Sequence, residues 1–158
     1  MTLELTLMRL RDSEDQVNKH IDRNILRIAE NTILKTAQNN GRSAGLSERA
    51  VQAMKIVKTG FMKVSLIWDY RGPNNEPISK YLENGTLPHQ IRAKGKIFGG
   101  ADMLRWFSEA GTPIFRKEVH HPGTQGKHII ANSYKEAKPS FTAAISDEVE
   151  NYLAVHKL

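Results

Sequence analysis

From Val17 onward an apolar residue returns at every fourth position: Val17, Ile21, Ile25, Ala29, Ile33 and Ala37, with Leu26 and Ile28 filling in and Lys19, Asp22, Arg23 and Glu30 between them. Sustained without a turn signal, this pattern predicts an amphipathic helix over residues 12–38. A spacing of four exceeds the 3.6 residues of a helical turn, so the apolar row drifts around the cylinder. The helix is therefore expected to meet different neighbours at its two ends. A stripe this long must be covered by other layers, and the remaining elements have to supply them.

Ahead of the helix, Leu3, Leu5 and Leu7 alternate with Glu4, Thr6 and Met8, the period of a half-buried strand. Behind it, Asn39-Asn40-Gly41 predicts the stop, since Asn and Gly tolerate the left-handed conformation that ends helices. Ser47 is a plausible N-cap for a short helix over Glu48 to Ala53. The period then changes to two. Met54 to Thr59 reads as one strand, and Met62, Val64, Leu66, Trp68 and Tyr70 form the inward face of its hairpin partner across Thr59-Gly60. Arg71 to Asn75 is a loop, and Pro77 opens a helical turn carrying Ile78, Tyr81 and Leu82 until Gly85. Leu87 to Ile91 reads as extended and Arg92 to Gly100 as a basic, exposed loop.

A second hairpin is expected from Met103 to Phe107 and Ile114 to Val119, with Trp106 more naturally a core residue than a surface one. The C-terminal helix is predicted from Ile129 to Ala137, broken at Pro139 and resumed through Phe141, Ala144, Ile145, Val149, Tyr152 and Leu153. Hairpins without helical crossovers define an α+β chain: an N-terminal strand and two hairpins in a mainly antiparallel sheet, packed with a long N-terminal helix and a C-terminal helix. At 158 residues, a single domain spanning the chain is expected. It contains no cysteine, which removes disulfides, thiolate metal sites and cysteine nucleophiles. No uncharged apolar run is long enough for a membrane helix. Its opening residues lack the basic start and apolar block of a secretory signal, so a soluble protein made in the cytoplasm is expected.

The 23 basic and 17 acidic residues give a net charge of +6. The surplus is diffuse except at Arg92, Lys94 and Lys96, where a basic loop near Trp106 and Phe107 has the ingredients for single-stranded nucleic acid, charge plus stacking. His89, His120, His121 and His128 fall in the loop-rich middle. They lack a His-Glu-x-x-His pattern or a nearby acid at facial-triad spacing. A His-Asn-His nuclease would use His120-His121 and Asn132, but Pro139-Ser140-Phe141-Thr142 stands where a closing metal ligand is wanted. There is no Gly-x-Ser-x-Gly elbow, and Arg92-Ala93-Lys94-Gly95-Lys96 lacks the glycine framework of a phosphate loop. No complete catalytic or cofactor-binding set is present. Gly85-Thr86 and Gly123-Thr124, each beside a Pro and a His, are read as turns.

Three segments carry a family pattern: Tyr81-Leu82-Glu83-Asn84-Gly85-Thr86-Leu87-Pro88-His89-Gln90-Ile91, then Leu104-Arg105-Trp106, then Phe115-Arg116-Lys117-Glu118-Val119-His120-His121-Pro122-Gly123-Thr124. Together they resemble the tail-completion, or head–tail joining, proteins of long-tailed viruses. In that family an aromatic-containing turn leads to Glu-x-Gly-Thr-x-Pro-His, a short strand follows, and a later strand ends in Val-x-His-Pro-Gly-Thr. The chain departs from the pattern at Gly45-Leu46-Ser47-Glu48-Arg49, where Thr-Gly-x-Leu-Arg is common, and after Thr124, where Pro-Phe-Leu-Arg-Pro is replaced by Gly126 to Ala131.

The resemblance implies a structural virion protein of the neck or tail with no enzymatic activity and no cofactor. Such a protein is a ring-forming adaptor, usually of six copies, between the head-closure or connector protein and the tail-tube protein, around the DNA channel. It also implies that the contact surface includes Glu83, Gly85, Thr86, His89, Arg92, Lys94, Lys96, His121, Pro122, Gly123 and Thr124. The rival readings are a nucleic-acid-binding module and a histidine-dependent metal nuclease.

Overall fold

The computed structural model describes residues 3–93 and 103–156, with side chains from residue 11 onward. Its elements group into two compact units, residues 1–83 with 128–158 and residues 84–127. The chain is α+β with antiparallel strands, as the sequence predicts. The strands do not merge into one sheet but form four two-stranded ladders.

The first unit is built on one long helix. It runs as α1 (Leu3–Ala29), a widened π turn (Glu30–Leu34) and α2 (Lys35–Ser43). The drifting apolar row is its buried face: Ile21, Ile25, Ala29, Ile33 and Ala37 are all buried, with Ile28 beside them. The π turn takes up part of the drift, because its i→i+5 bonding holds more residues per turn than an α-helix. Three expectations about the long helices are corrected. Leu3 to Leu7 are helical and form no N-terminal strand. Their alternation is short, their Leu, Glu and Met favour helix, and extending an existing helix requires no new nucleus. The helix also passes through Asn39-Asn40-Gly41 and stops at Ser43, with Gly45 at φ +75° as the left-handed stop.

Those residues serve packing instead. Gly41 is buried, and a Cβ there would press on Leu46, Val51 and Met54. The Asn40 amide donates to Ser133 Oγ at 3.0 Å and Glu136 Oε2 at 2.8 Å. After α3 (Glu48–Gln52), which Ser47 caps by accepting from Ala50 N, the chain forms the hairpin β1 (Met54–Gly60) and β2 (Lys63–Trp68). Met54 pairs with Trp68, Ile56 with Leu66 and Lys58 with Val64 across it. Met54 and Ile56 complete the core laid down by the helical row. The hairpin turn is tied to α1 by Asp22, whose carboxylate accepts from Lys58 Nζ at 2.7 Å and Met62 N at 2.8 Å. Both bonds, that of Lys58 first, hold the Asp22 carboxyl below its ordinary range. Helix α4 (Ile78–Asn84) follows Pro77 as predicted.

The last helix, α5 (Ile129–His156), packs along α1 and α2 and runs unbroken through Pro139, the third correction. Proline removes the donor for the Lys135 carbonyl, but Lys135 is exposed and water can satisfy it. Buried anchors at Ile129, Ser133 and Ala137 precede the proline, and half-buried Phe141 follows it. Ser140 Oγ donates to Ala137 O at 2.9 Å. Further along, Glu148 accepts from His20 Nε2 and Arg27 Nη2, both at 2.8 Å. The second unit holds β3 (Gly85–Thr86), β4 (His89–Arg92), β5 (Leu104–Phe107), β6 (Pro113–Arg116), β7 (Glu118–His121) and β8 (Thr124–Gln125). The segment expected as one strand from Ile114 to Val119 is divided at Lys117. Its first half pairs with β5 and its second half with β4.

Two outcomes follow. Ala137 is 1% exposed between helices, so Ala137→Leu should overpack the core and lower stability by about 1–3 kcal/mol in urea titrations. The hydrogen bond from His20, helped by Arg27, holds the Glu148 carboxyl below its ordinary range against the opposing effect of burial. A depressed carboxyl contributes stability above its unfolded-state pKa and loses it as pH falls through the folded-state value. Glu148→Gln should therefore lower the urea midpoint at neutral pH, and the gap to wild type should close on acidification through the carboxylate range.

Candidate functional site

The two Gly-Thr motifs, 38 positions apart in the sequence, lie against each other. Strands β3 and β8 pair Gly85 with Gln125 and Thr86 with Thr124. Gly85 (φ +76°) and Gly123 (φ +86°) are both left-handed. A Cβ on Gly85 would drive into the Thr124 carbonyl oxygen, and one on Gly123 into the Thr86 carbonyl oxygen. Each glycine thus makes room for the other motif's backbone. The threonines close the clasp: Thr124 N donates to Thr86 Oγ1 at 3.1 Å, and the two hydroxyls lie 3.1 Å apart.

The ladder continues through β4 and β7, which pair His89 with His121, Gln90 with His120, Ile91 with Val119 and Arg92 with Glu118. The His89 and His121 rings stack with centroids 5.1 Å apart. His89 Nδ1–H donates to Leu87 O at 2.8 Å, while His121 Nδ1 accepts from Gly123 N at 3.0 Å. These bonds put a proton on Nδ1 of His89 and leave Nδ1 of His121 without one. Each ring braces the bend beside it, His121 the Pro122-Gly123 turn. Arg92 Nε meets Glu118 Oε2 at 3.2 Å on an exposed face, where such a pair contributes little. Lys94 and Lys96 lie outside the described residues. Among the described residues no three His, Asp or Glu side chains converge as metal ligands.

Glu83 acts within the first unit. Its carboxylate accepts from Ile130 N at 2.9 Å and Ala131 N at 3.1 Å, and its carbonyl from His128 N at 3.1 Å. Ile130 and Ala131 are the second and third residues of α5, whose backbone N–H groups have no partner within the helix. A residue 47 positions upstream does the work that a Ser or Asp N-cap does elsewhere, and its charge complements the helix dipole. His128 enters the helix at φ +48°.

Sequence reasoning missed the character of the β5–β6 hairpin. Trp106, expected in a core, is 38% exposed, and Phe107 and Phe115 are 59% and 47% exposed. A two-stranded ladder has two faces, and nothing among the described residues buries either one. Arg105 lies over the rings of Phe107 and Phe115, 5.0 and 5.8 Å from their centroids. The alternation of Arg105 with Phe107 was the available signal, since i and i+2 share a strand face. Nowhere in the described part of the second unit is a residue buried.

Searches against family models, curated proteins and solved structures found no match. Among the described residues no helix is long and apolar enough to cross a membrane.

The clasp geometry makes a specific claim about both glycines. Gly85→Ala and Gly123→Ala should each destabilise the second unit by at least about 1–2 kcal/mol from the left-handed backbone alone, with the carbonyl clash in addition. Glu83→Ala should cost about 0.5–2 kcal/mol through the lost cap. Amide exchange separates the effects: the glycine variants should expose amides of β3, β4, β7 and β8, and Glu83→Ala those at the start of α5.

Proposed function

We propose that this chain is a structural adaptor of a long-tailed virus, joining the head-closure or connector complex to the tail tube by protein–protein contact. It acts as a ring, six copies on the family pattern, and it carries out no turnover and needs no cofactor. Its place is the neck or tail of the virion. One observation carries the reading: the second unit is ordered by ladders and glycine-locked bends, yet no described residue in it is buried. Two-stranded ladders are marginal on their own, and large exposed apolar groups mark interaction surfaces. Phe107 and Phe115 on one face of the β5–β6 hairpin, with Trp106 and Ile114 paired on the other, suit burial against a neighbour.

Within this reading the clasp residues Gly85, Thr86, Gly123 and Thr124 hold the shape of the contact surface. The exposed groups on the ladders make the contact. Arg105 over its two aromatic rings, with Arg116 and Lys117 nearby in sequence, favours a second reading, a surface for nucleic acid, because cations and stacked rings are what single strands bind.

The test is assembly. Size-exclusion chromatography with light scattering, and co-purification with the connector and tail-tube proteins, should show a ring or a stable complex. Phe107→Ser/Phe115→Ser should lose that assembly while keeping the first unit's melting transition. A wild-type chain that stays monomeric, enters no particle and binds neither protein overturns the reading. DNA binding that falls steeply with salt and is lost on Arg105→Glu, without any assembly, would favour the second.

A further inference from the structure

The first unit has a groove that the adaptor reading leaves unused. One wall is the outer edge of β2, which pairs with β1 on its other side and with no other strand among the described residues. Lys63, Val64, Ser65 and Leu66 of β2 line it consecutively, with Met62 of the hairpin turn and Thr59 of β1 at its end. Successive strand residues point to opposite faces, so a groove that meets all four looks onto the strand's edge, where backbone N–H and C=O groups await partners. The facing wall is α5, through Ile130, Tyr134 and Phe141. Ile33 of the π turn lines both parts of the groove. Two adjoining hollows of about 370 and 520 Å³ share Ile33, Val64, Ser65 and Tyr134 and make it one channel between strand edge and helix.

Charge selects the occupant. Lys63, Lys135 and Lys138 line the channel, all three exposed and, among the described residues, without an acidic partner, and no described Asp or Glu lines it. Lys58, by contrast, is already paired with Asp22. A segment five residues long would run about 17 Å beside β2, its backbone bonding the free edge while alternate side chains enter the apolar channel. Its outward side chains should be acidic.

A second copy of this chain is the poorer fit. Its exposed strands β4, β5 and β6 carry Arg92, Arg105 and Arg116 and would bring cations to the three lysines, and Glu118 of β7 is already paired with Arg92.

We infer that the channel between β2 and α5 binds an extended segment of another protein, acidic residues alternating with apolar ones, as a third strand on the β1–β2 hairpin. The inference does not depend on ring assembly or on the second unit, and it is measurable on the full chain whether or not that chain assembles.

The probe is a fluorescein-labelled peptide of alternating valine and glutamate, read by anisotropy with the full chain. Saturable binding is expected. It should weaken about tenfold or more in Lys63→Glu/Lys135→Glu/Lys138→Glu, whose unchanged melting curve shows the fold intact. It should weaken similarly when alternate peptide amides are N-methylated, and bound peptide should protect β2 amides from exchange. An equally tight valine–lysine peptide overturns the inference. So does binding insensitive to N-methylation, which would be plain charge attraction, and so does absence of binding. Occlusion of the channel in a dimer seen by sedimentation would assign the site to a second copy and reject the partner proposed.

Discussion

Close approach of α5 to the long N-terminal helix is the constraint on which the first unit rests. Ala29 and Ala37 on one side and Ala137 on the other are 0–1% exposed. Side chains this small bring helix axes toward the short end of the usual 8–10 Å. At that distance Ile33 of the row packs with Ile56 of the hairpin, and Ala37 with Met54 and with Ile129 of α5. The polar bonds between the helices follow from the same closeness: Asn40 to Ser133 and Glu136 at one end, Glu148 to His20 and Arg27 at the other. Larger residues at the alanines would separate the helices and break both sets. The channel beside β2 depends on the same spacing, because Ile33 belongs to the helix that α5 is packed on.

The parts of this fold that could be read in the sequence are those whose signal is local and repeated. The row from Ile21 to Ala37 was legible because five successive returns at one spacing leave little else to explain them. The Ser47 cap and the Met54–Trp68 hairpin were legible for the same reason, in that the signal and its structural consequence lie within a few residues. What was misread turned on competition between local preference and packing. Asn40-Gly41 has the composition of a stop, but Asn40 gains two partners from α5 and Gly41 fits beneath Leu46 and Val51 only if the helix continues. Pro139 has the composition of a break, but the helix is anchored on both sides of it. Of the candidate site, the order of the motifs was visible and their meeting was not. The contact between Gly85 and Gly123 is a long-range event that no window along the chain contains.

That contact also explains why the motifs pair glycine with threonine. Glycine lets the two backbones approach, and threonine then offers a short hydroxyl that bonds the neighbouring amide without filling the space just opened. Neither residue makes sense at its position without its counterpart. The histidines extend the arrangement by one layer, each using Nδ1 on a backbone group of its own bend and presenting its ring to the other. The second unit therefore derives its order from backbone geometry, in place of the buried side chains on which the first unit relies.

Order without burial matters for association. A surface that must freeze its loops on binding loses part of the gross interaction energy to conformational entropy, whereas a preorganised one keeps it. Left-handed glycines and mutually braced rings restrict the bends before any neighbour arrives. On the adaptor reading, a chain between two different proteins also needs two chemically different surfaces. The aromatic hairpin with Arg105 and the lysine-rimmed strand edge differ in this way. Because both carry positive charge, they are poor partners for each other. Like charge between a donor surface and an acceptor surface of the same chain disfavours their wrong pairing, and it leaves each free for a different neighbour.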